Sequence, residues 1–427
     1  MLNDNKINRE TFCVLPWMHQ VVVPNGSYSH CCVSFPNHIM DDYVYCVENA
    51  TFFDARNSDY MKNTRRQMLK GEVPVQCRRC FDEEQLGKKS HRIRSNEAWD
   101  SAAVHSLVEY SIANDFSVVE DPTYLDLRLG NRCNLKCRMC SPWNSDKVYD
   151  ETIELLHDDS FKEIWTTTYG QPPQKIGPWY NSDKFWDDVK SNKNIKKIYM
   201  TGGEPTLINK NYEYMEYLIE QGLGDKVELF FNLNGTNIQG RFIELLKAFS
   251  KVSINVSADG KDDLQHYIRY PSNWDVIEKN FIALMKIKHI NLGVTPVLQT
   301  YNVLGLDRLL YFLDGCENQY QRKIHIDILI SYHPNYSNAL VMPETIRKIG
   351  AERLNTFREQ SIICQRDQLS NNSIHSATEF LLSTCEYEKY IEQFVSYTRI
   401  LDRHRNMHLI DMGPELWNLL NDNNIII

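Results

Sequence analysis

No stretch of this chain approaches the roughly 18 consecutive apolar residues that crossing a bilayer requires. The opening MLNDNKINRE is polar and lacks the apolar core of a secretory signal. No membrane span is expected, and the cytoplasm is the expected compartment. Positive charge is also scarce: 47 Lys and Arg stand against 56 Asp and Glu, a net charge of −9. Broad binding to phosphate backbones draws on clustered cations, so a nucleic-acid partner is not expected. The two basic stretches, KNTRRQMLK (62–70) and KKSHRIR (88–94), read as solvated helix faces. Neither a P-loop nor a G-x-G-x-x-G occurs, which leaves nucleotide binding through those motifs without support. What the chain does have is cysteine, twelve in 427 residues. Where thiols are kept reduced, clustered cysteines hold metal more often than they pair as disulfides. The length leaves room for two or three domains.

The tightest cluster is NRCNLKCRMCSP (131–142), which sets Cys133, Cys137 and Cys140 within eight positions. A structural zinc site wants four ligands, commonly two CxxC-type pairs, and this loop supplies three. Three thiolates can hold three irons of a [4Fe-4S] cubane and leave the fourth open. A cluster used only for electron transfer normally has all four irons held by cysteine, so an open iron is a place for another molecule to bind. A zinc-bound loop is the competing interpretation.

The surrounding pattern is an alternation. TYLDLRLG (123–130) reads as a buried strand running into the cysteine loop, and KKIYM, VELFFNL, VSINVSA, LGVTPVLQ and IHIDILIS follow as strand-like runs separated by amphipathic helical segments. Such alternation predicts parallel strands with helical crossovers. Six units make a partial (β/α)6 TIM-like barrel over residues 121–335, in a chain of α/β class. In such barrels the chemistry sits on loops beyond the C-terminal ends of the strands. The cysteine loop, TGGEPT (201–206), NLNGT (232–236) and SADG (257–260) all fall there.

Cx3Cx2C after the first strand, GGEP after the second and S-x-D-G after the fourth together resemble the radical S-adenosylmethionine (SAM) superfamily. The resemblance implies that Cys133, Cys137 and Cys140 bind a [4Fe-4S] cluster whose open iron is chelated by SAM. It further implies reductive cleavage of SAM to a 5′-deoxyadenosyl radical that takes a hydrogen atom from substrate. By motif, Gly202, Gly203 and Glu204 would receive the methionine amino group, with the glycines permitting close backbone approach. Ser257 and Asp259 would face the ribose or carboxylate, with a plain turn as the alternative. Arg269 would pair with the SAM carboxylate, or else form a structural ion pair. Asn234 and Gln299 are candidates for nucleoside contacts, against a structural role. The family's usual aromatic before the third cysteine is replaced here by Met139, whose thioether would pack on adenine. No catalytic side chain is identified.

Ahead of the barrel, FCVLPWMHQVVVPNGSYSHCC (12–32) reads as two strands joined by a PNG turn, and VPVQCRRCFDEE adds a CxxC. Residues 1–120 are expected to form a β-rich cysteine domain. The Cx12Gx4C…CxxC pattern resembles the twitch or SPASM auxiliary-cluster domains, which usually follow the barrel. That resemblance implies a second, auxiliary [4Fe-4S] cluster on Cys13, Cys31, Cys77 and Cys80. Cys32 competes with Cys31, and a zinc site on the same thiols is the alternative. Cys46, Cys316, Cys364 and Cys385 fit no ligand spacing and read as structural thiols.

Two segments remain. Residues 141–195 form a long loop rich in aromatics, among them Trp143, Trp165, Tyr169, Trp179, Tyr180, Phe185 and Trp186. It reads as a substrate lid or as a separately packed subdomain. Residues 336–427 read as a C-terminal helical region against the barrel's open edge. The expected partners are an electron donor such as flavodoxin or ferredoxin and a peptide or small-molecule substrate. Radical modification of a nucleotide or RNA is the alternative activity, and a non-catalytic zinc or iron–sulfur protein is a third reading.

Overall fold

The computed structural model describes residues 7–34, 45–85, 89–238, 240–384 and 386–427. Lys88 of the second basic stretch and Cys385 lie outside them. In chain order the strands are β1 (His19–Val22), β2 (Tyr28–Ser29), β3 (Tyr124–Arg128), β4 (Lys136–Cys137), β5 (Lys197–Thr201), β6 (Glu228–Leu233), β7 (Lys251–Val256), β8 (Arg269–Tyr270), β9 (Ile290–Val294), β10 (Val297–Leu298), β11 (Ile324–Ile326) and β12 (Leu329–Ile330). Helices follow most of the parallel strands, and the fold is the mixed α/β class expected, with the parallel β/α alternation of a partial TIM-like barrel. Among the described residues, no helix is long and apolar enough to cross a membrane.

The chain divides into two compact units, the first of residues 1–131 and 176–230, the second of 132–175 and 231–427. In the first unit β5, β3 and β1 run parallel in that order, and β2 closes antiparallel on β1. The PNG turn is present: Val23 N donates to Ser27 O at 2.9 Å, and Gly26 takes φ +85°, which a residue with a side chain adopts only at a cost. The parallel pairing of β1 with β3 was not legible in the motif. It places His19 opposite Tyr124 and Val22 opposite Leu127.

The N-terminal segment departs from the β-rich expectation. Beyond the short β1–β2 hairpin it is built from helices, including Phe52–Arg56, Asp59–Lys70, Arg78–Gln85, His91–Trp99 and Ala102–Ala113. The reason is visible in the caps. Thr51 and Asp54 form a reciprocal capping box, and Ser58, Ser90 and Ser101 each accept a hydrogen bond from the third residue of the helix that follows. The basic stretches are not free faces either. Arg65 is fully buried and donates to the carbonyls of Pro16 and Phe116.

In the second unit β7, β9 and β11 are parallel neighbours. Val252, Ile254 and Val256 of β7 alternate with half-buried Ser253 and Asn255, the period-two pattern of a sheet with one apolar face. Two expected strands are each cut in two. β9 stops before Pro296, which has no N–H for a ladder, and β10 resumes after it; β11 and β12 are separated by Asp327 and Ile328, and β10 pairs with β12. Beyond Pro343 the chain is helical, and the Gln368–Leu382 helix docks on β11 through Ser370 Oγ, which accepts from Ile326 N at 2.9 Å. The aromatic connection is not one body. Its Asp146–Leu155 and Asp159–Tyr169 helices belong to the second unit, and its Asp183–Ser191 helix to the first.

Candidate active site

The cysteine loop is held by its own backbone and by the helix that follows it. Cys133 N donates to Asp146 Oδ1 at 2.9 Å, and Ser145, the N-cap of the Asp146–Leu155 helix, donates from Oγ to Leu135 O at 2.8 Å. Cys140 N reaches back to Cys137 O at 3.0 Å. The middle of the loop, β4, pairs antiparallel with β8, so that Cys137 stands opposite Arg269 and Lys136 opposite Tyr270. All three thiols are half-buried. Burial, then the neighbouring Cys137 and Cys133, push the Cys140 thiol far above its usual range, and burial raises Cys137 although Arg269 pulls the other way. Thiols crowded in this way ionise only if a cation compensates them, and a metal does so. The donor set therefore fits a [4Fe-4S] cluster with one open iron.

Asp259 and Arg269 form a buried bidentate pair beside this loop, with Nε to Oδ2 at 2.7 Å and Nη2 to Oδ1 at 3.1 Å. The structure thus brings these two expected residues together, but two of the three guanidinium nitrogens are committed to Asp259 and not left for a ligand. Asp259 also accepts from Val297 N at 2.8 Å, and Gln299 Nε2 lies 3.5 Å from it. Gln299 itself is 0% exposed, so it supports the pair from within the protein interior. Asn234 has a structural partner as well. Its Nδ2 donates to Asn134 Oδ1 at 2.8 Å, while Asn134 Nδ2 donates to Thr236 Oγ1 at 2.8 Å, which ties the end of β6 to the cysteine loop. Ser257, half-buried at the end of β7, donates its N–H to Leu233 O at 2.7 Å.

The GGEP turn lies in the first unit. Gly202 has φ +122°, and a Cβ there would sit 2.9 Å from Gly130 O, so a side chain is barred by conformation and by space. Glu204 is buried, and its Oε1 accepts from Thr206 N at 3.2 Å and from Thr206 Oγ1 at 2.6 Å. Gly203 and Met139 are half-buried.

Also in the first unit, Cys13, Cys31, Cys77 and Cys80 line one cavity, of about 370 Å³ with its mouth included. The four come from three separate segments. Cys13 and Cys31 flank the β1–β2 hairpin. Cys77 ends a 3₁₀ turn, and Cys80 lies in the first turn of the Arg78–Gln85 helix. The backbone around Cys13 is bracketed by Arg92, which donates to Phe12 O at 2.9 Å, and by Asn96, which accepts from Val14 N at 2.8 Å. Burial pushes the Cys13 thiol up to about 12 and raises Cys77 and Cys80 as well. Four thiols lining one cavity fit a fully ligated cluster. The same donors also suit zinc.

Cys32 takes another environment. Its Sγ lies 3.5 Å from His91 Nε2, and Cys31, Cys32 and His91 place their ligand atoms within 4.8 Å of one another. A hydrogen bond with Cys31, opposed by burial and aided by His91, holds Cys32 below the usual thiol range. His91 was read as part of a solvated basic face. Burial works against its charge, yet the Cys32 sulfur outweighs it and lifts the ring above the usual histidine range. His30, 3.5 Å from Cys77 Sγ, was likewise not singled out. Among the remaining thiols, Cys316 and Cys364 are buried and Cys46 is half-buried.

Residues 127–310 match the Radical SAM superfamily. Over 222 residues the chain is 25% identical to the sporulation killing factor maturation protein SkfB of Bacillus subtilis (strain 168), covering 52% of this chain and 45% of that protein. Over 211 residues it is 22% identical to GTP 3',8-cyclase of Campylobacter fetus subsp. fetus (strain 82-40), covering 49% of this chain and 56% of that one. The chain thus spans about half the length of the curated relatives it matches. Among solved structures, Streptococcus suis SuiB bound to S-adenosylmethionine aligns with 73% of this chain and 63% of its own at 12% identity and a TM-score of 0.38. SuiB bound to the precursor peptide SuiA aligns with 67% and 60% at 14% identity and a TM-score of 0.37. The segment of this chain that is similar to the Radical SAM superfamily, residues 127–310, is the one that carries Cx3Cx2C and GGEP.

Proposed function

We propose that the protein is a radical SAM enzyme acting on a peptide or small-molecule substrate, with an auxiliary [4Fe-4S] cluster that handles electrons. The observation that carries this reading is the set of three thiols on one loop, whose middle strand β4 pairs with β8 so that Cys137 stands opposite Arg269 of the buried Asp259–Arg269 pair. Cys133, Cys137 and Cys140 would hold the cluster, which when reduced supplies the electron that cleaves SAM to methionine and a hydrogen-abstracting 5′-deoxyadenosyl radical. Gly202, Gly203 and Glu204 would take the methionine amino group. The Asp259–Arg269 pair, supported by Gln299, would present the third guanidinium nitrogen to the SAM carboxylate, and Ser257 and Asn234 would border the nucleoside. Cys13, Cys31, Cys77 and Cys80 would hold the auxiliary cluster, and a flavodoxin or ferredoxin would supply electrons. Zinc at that second place could not accept an electron, whereas a cluster gives a substrate radical somewhere to send one.

A relative that matures a killing factor supports a peptide substrate. The GTP cyclase relative supports a nucleotide instead. RNA is disfavoured, because Arg65 and Arg92 of the basic stretches are tied to protein partners. The test is 5′-deoxyadenosine release from anaerobic protein given dithionite and SAM, with a precursor peptide or GTP added. Slow release without substrate, faster release with the peptide, and none from a Cys133→Ala, Cys137→Ala, Cys140→Ala variant that has lost about half its iron are expected. Acceleration by GTP alone would shift the substrate to nucleotides. Full iron content in the triple variant, or iron with no nucleoside product, would sink the reading.

A further inference from the structure

The loop carrying Cys133, Cys137 and Cys140 is gripped by the Ile391–Arg405 helix, whose Asp402 lies 264 residues beyond Arg138. Three polar contacts from this helix converge on two residues of the loop, Lys136 and Arg138. Tyr397 Oη donates to Arg138 O at 2.8 Å, and Arg405 Nη2 donates to Lys136 O at 2.7 Å. Asp402 accepts from the Arg138 guanidinium, which is 1% exposed and sits in sequence between Cys137 and Cys140.

Each gripping group is itself fixed. Asp402 also accepts from Tyr267 Oη at 2.8 Å and from Leu409 N at 3.0 Å. Arg405 is clasped by both carboxylate oxygens of Glu151, at 3.0 and 2.6 Å. Arg138 donates from Nε to Tyr267 O at 2.9 Å, and its guanidinium stands 3.6 Å from the centre of the Tyr267 ring. An ordinary helix-docking face buries apolar side chains. This one spends its polar groups on the carbonyls and the one buried cation of the loop between the thiols.

We infer that the Ile391–Arg405 helix is a positioning element for the cysteine loop, and that Asp402 is the positioning residue that both fixes Arg138 and balances its charge next to Cys137 and Cys140. The inference rests on the reading that this loop holds a cluster. Two consequences follow from elementary electrostatics. The loop carbonyls stay in register, which holds the thiols at the separation a cubane demands. A negative charge opposite Arg138 offsets a cation that would otherwise favour an added electron nearby, because charges interact strongly where water is excluded. Iron–sulfur potentials respond to net charge and hydrogen bonding in this way.

The test uses the full chain, purified without oxygen and loaded with iron and sulfide, and follows the cluster whose EPR signal changes when SAM is added. In Asp402→Asn the carboxylate charge is gone but the shape and one acceptor remain. Iron content should hold. The midpoint potential should move positive, so that at a fixed solution potential the reduced-to-oxidised ratio rises about tenfold, which is 59 mV for one electron. Asp402→Glu should bring the potential back. An unchanged potential in Asp402→Asn overturns the charge-balancing role. Amide hydrogen exchange across residues 133–141 tests the positioning, and it should quicken about tenfold in Asp402→Asn and in Tyr397→Phe. Unchanged exchange in Tyr397→Phe overturns that role, and this variant, which alters no charge, carries the test should Asp402→Asn fail to fold. Exchange is read whether or not iron is bound, so a chain that takes no iron at the loop counts against the proposed function and leaves the clamp to be judged by itself.

Discussion

Three cysteines of the second unit lie on one loop of eight residues, whereas the four of the first unit are gathered from positions 13, 31, 77 and 80. The loop has little interior of its own, and its geometry is imposed by hydrogen bonds from β8, from Asp146 and Ser145, and from the distant Ile391–Arg405 helix. The gathered set adds packing to such bonds, which Arg92 and Asn96 supply around Cys13. Cys13 and Cys31 are part of an apolar core with Phe12, Trp17 and Met68, and packing that orders the core orders the thiols. A centre compact in sequence is held from without, and one dispersed in sequence is held from within. The difference also suits their proposed uses, since three ligands leave a coordination place for SAM and four close the cluster to everything but electrons.

The sharpest way to break this comparison is a Cys77→Ala, Cys80→Ala double variant, examined by metal analysis and Mössbauer spectroscopy. It should lose about half of the roughly eight irons expected for two cubanes, keep the cluster on the loop and still release 5′-deoxyadenosine, but fail to turn over substrate. Loss of one zinc with iron unchanged would replace the auxiliary cluster by a zinc site and leave the loop untouched. A smaller effect separates two adjacent thiols. Cys31→Ser should cost the auxiliary iron, whereas Cys32→Ser should keep it, because Cys31 lines the four-thiol cavity and Cys32 stands against His91. Equal loss from both would mean that the two sulfurs share the ligand position. The smallest effect concerns the brace on the loop. Ser145→Ala removes a helix N-cap and the bond to Leu135 O, and should lower stability by about 1 kcal/mol in thermal unfolding, with iron retained.

What the sequence discloses follows the same line. Cys133, Cys137, Cys140 and GGEP are legible because their spacing is local and each stands at the end of an apolar run. The strands β3, β5, β6 and β7 fall within a residue or two of where period-two patterning puts them. Asp402 is not legible, for nothing near it in sequence relates it to Arg138. Beyond the two basic stretches read as helix faces, the helical make-up of residues 51–113 is not legible either, since short capped helices with mixed faces, such as Ala102–Ala113, offer little periodicity. Gln299 and Asn234 were singled out as ligand contacts by their place at strand ends, yet both spend hydrogen bonds on the protein itself. Strand ends supply polar groups to loops as readily as to ligands, and only the partner atoms distinguish the two.

The pairing of β1 with β3 carries a consequence for the edge of the sheet. β3 would otherwise be a bare edge, with Tyr124, Leu125, Asp126 and Leu127 offering backbone donors and acceptors to any strand that came by. His19–Val22 occupies that edge, and β2 follows it with two residues only, too short a rim to template another chain. The segment that bears the four thiols is therefore also an edge guard. A chain shortened to begin at residue 121 would lose more than the four thiols, for it would open a buried parallel strand to self-association.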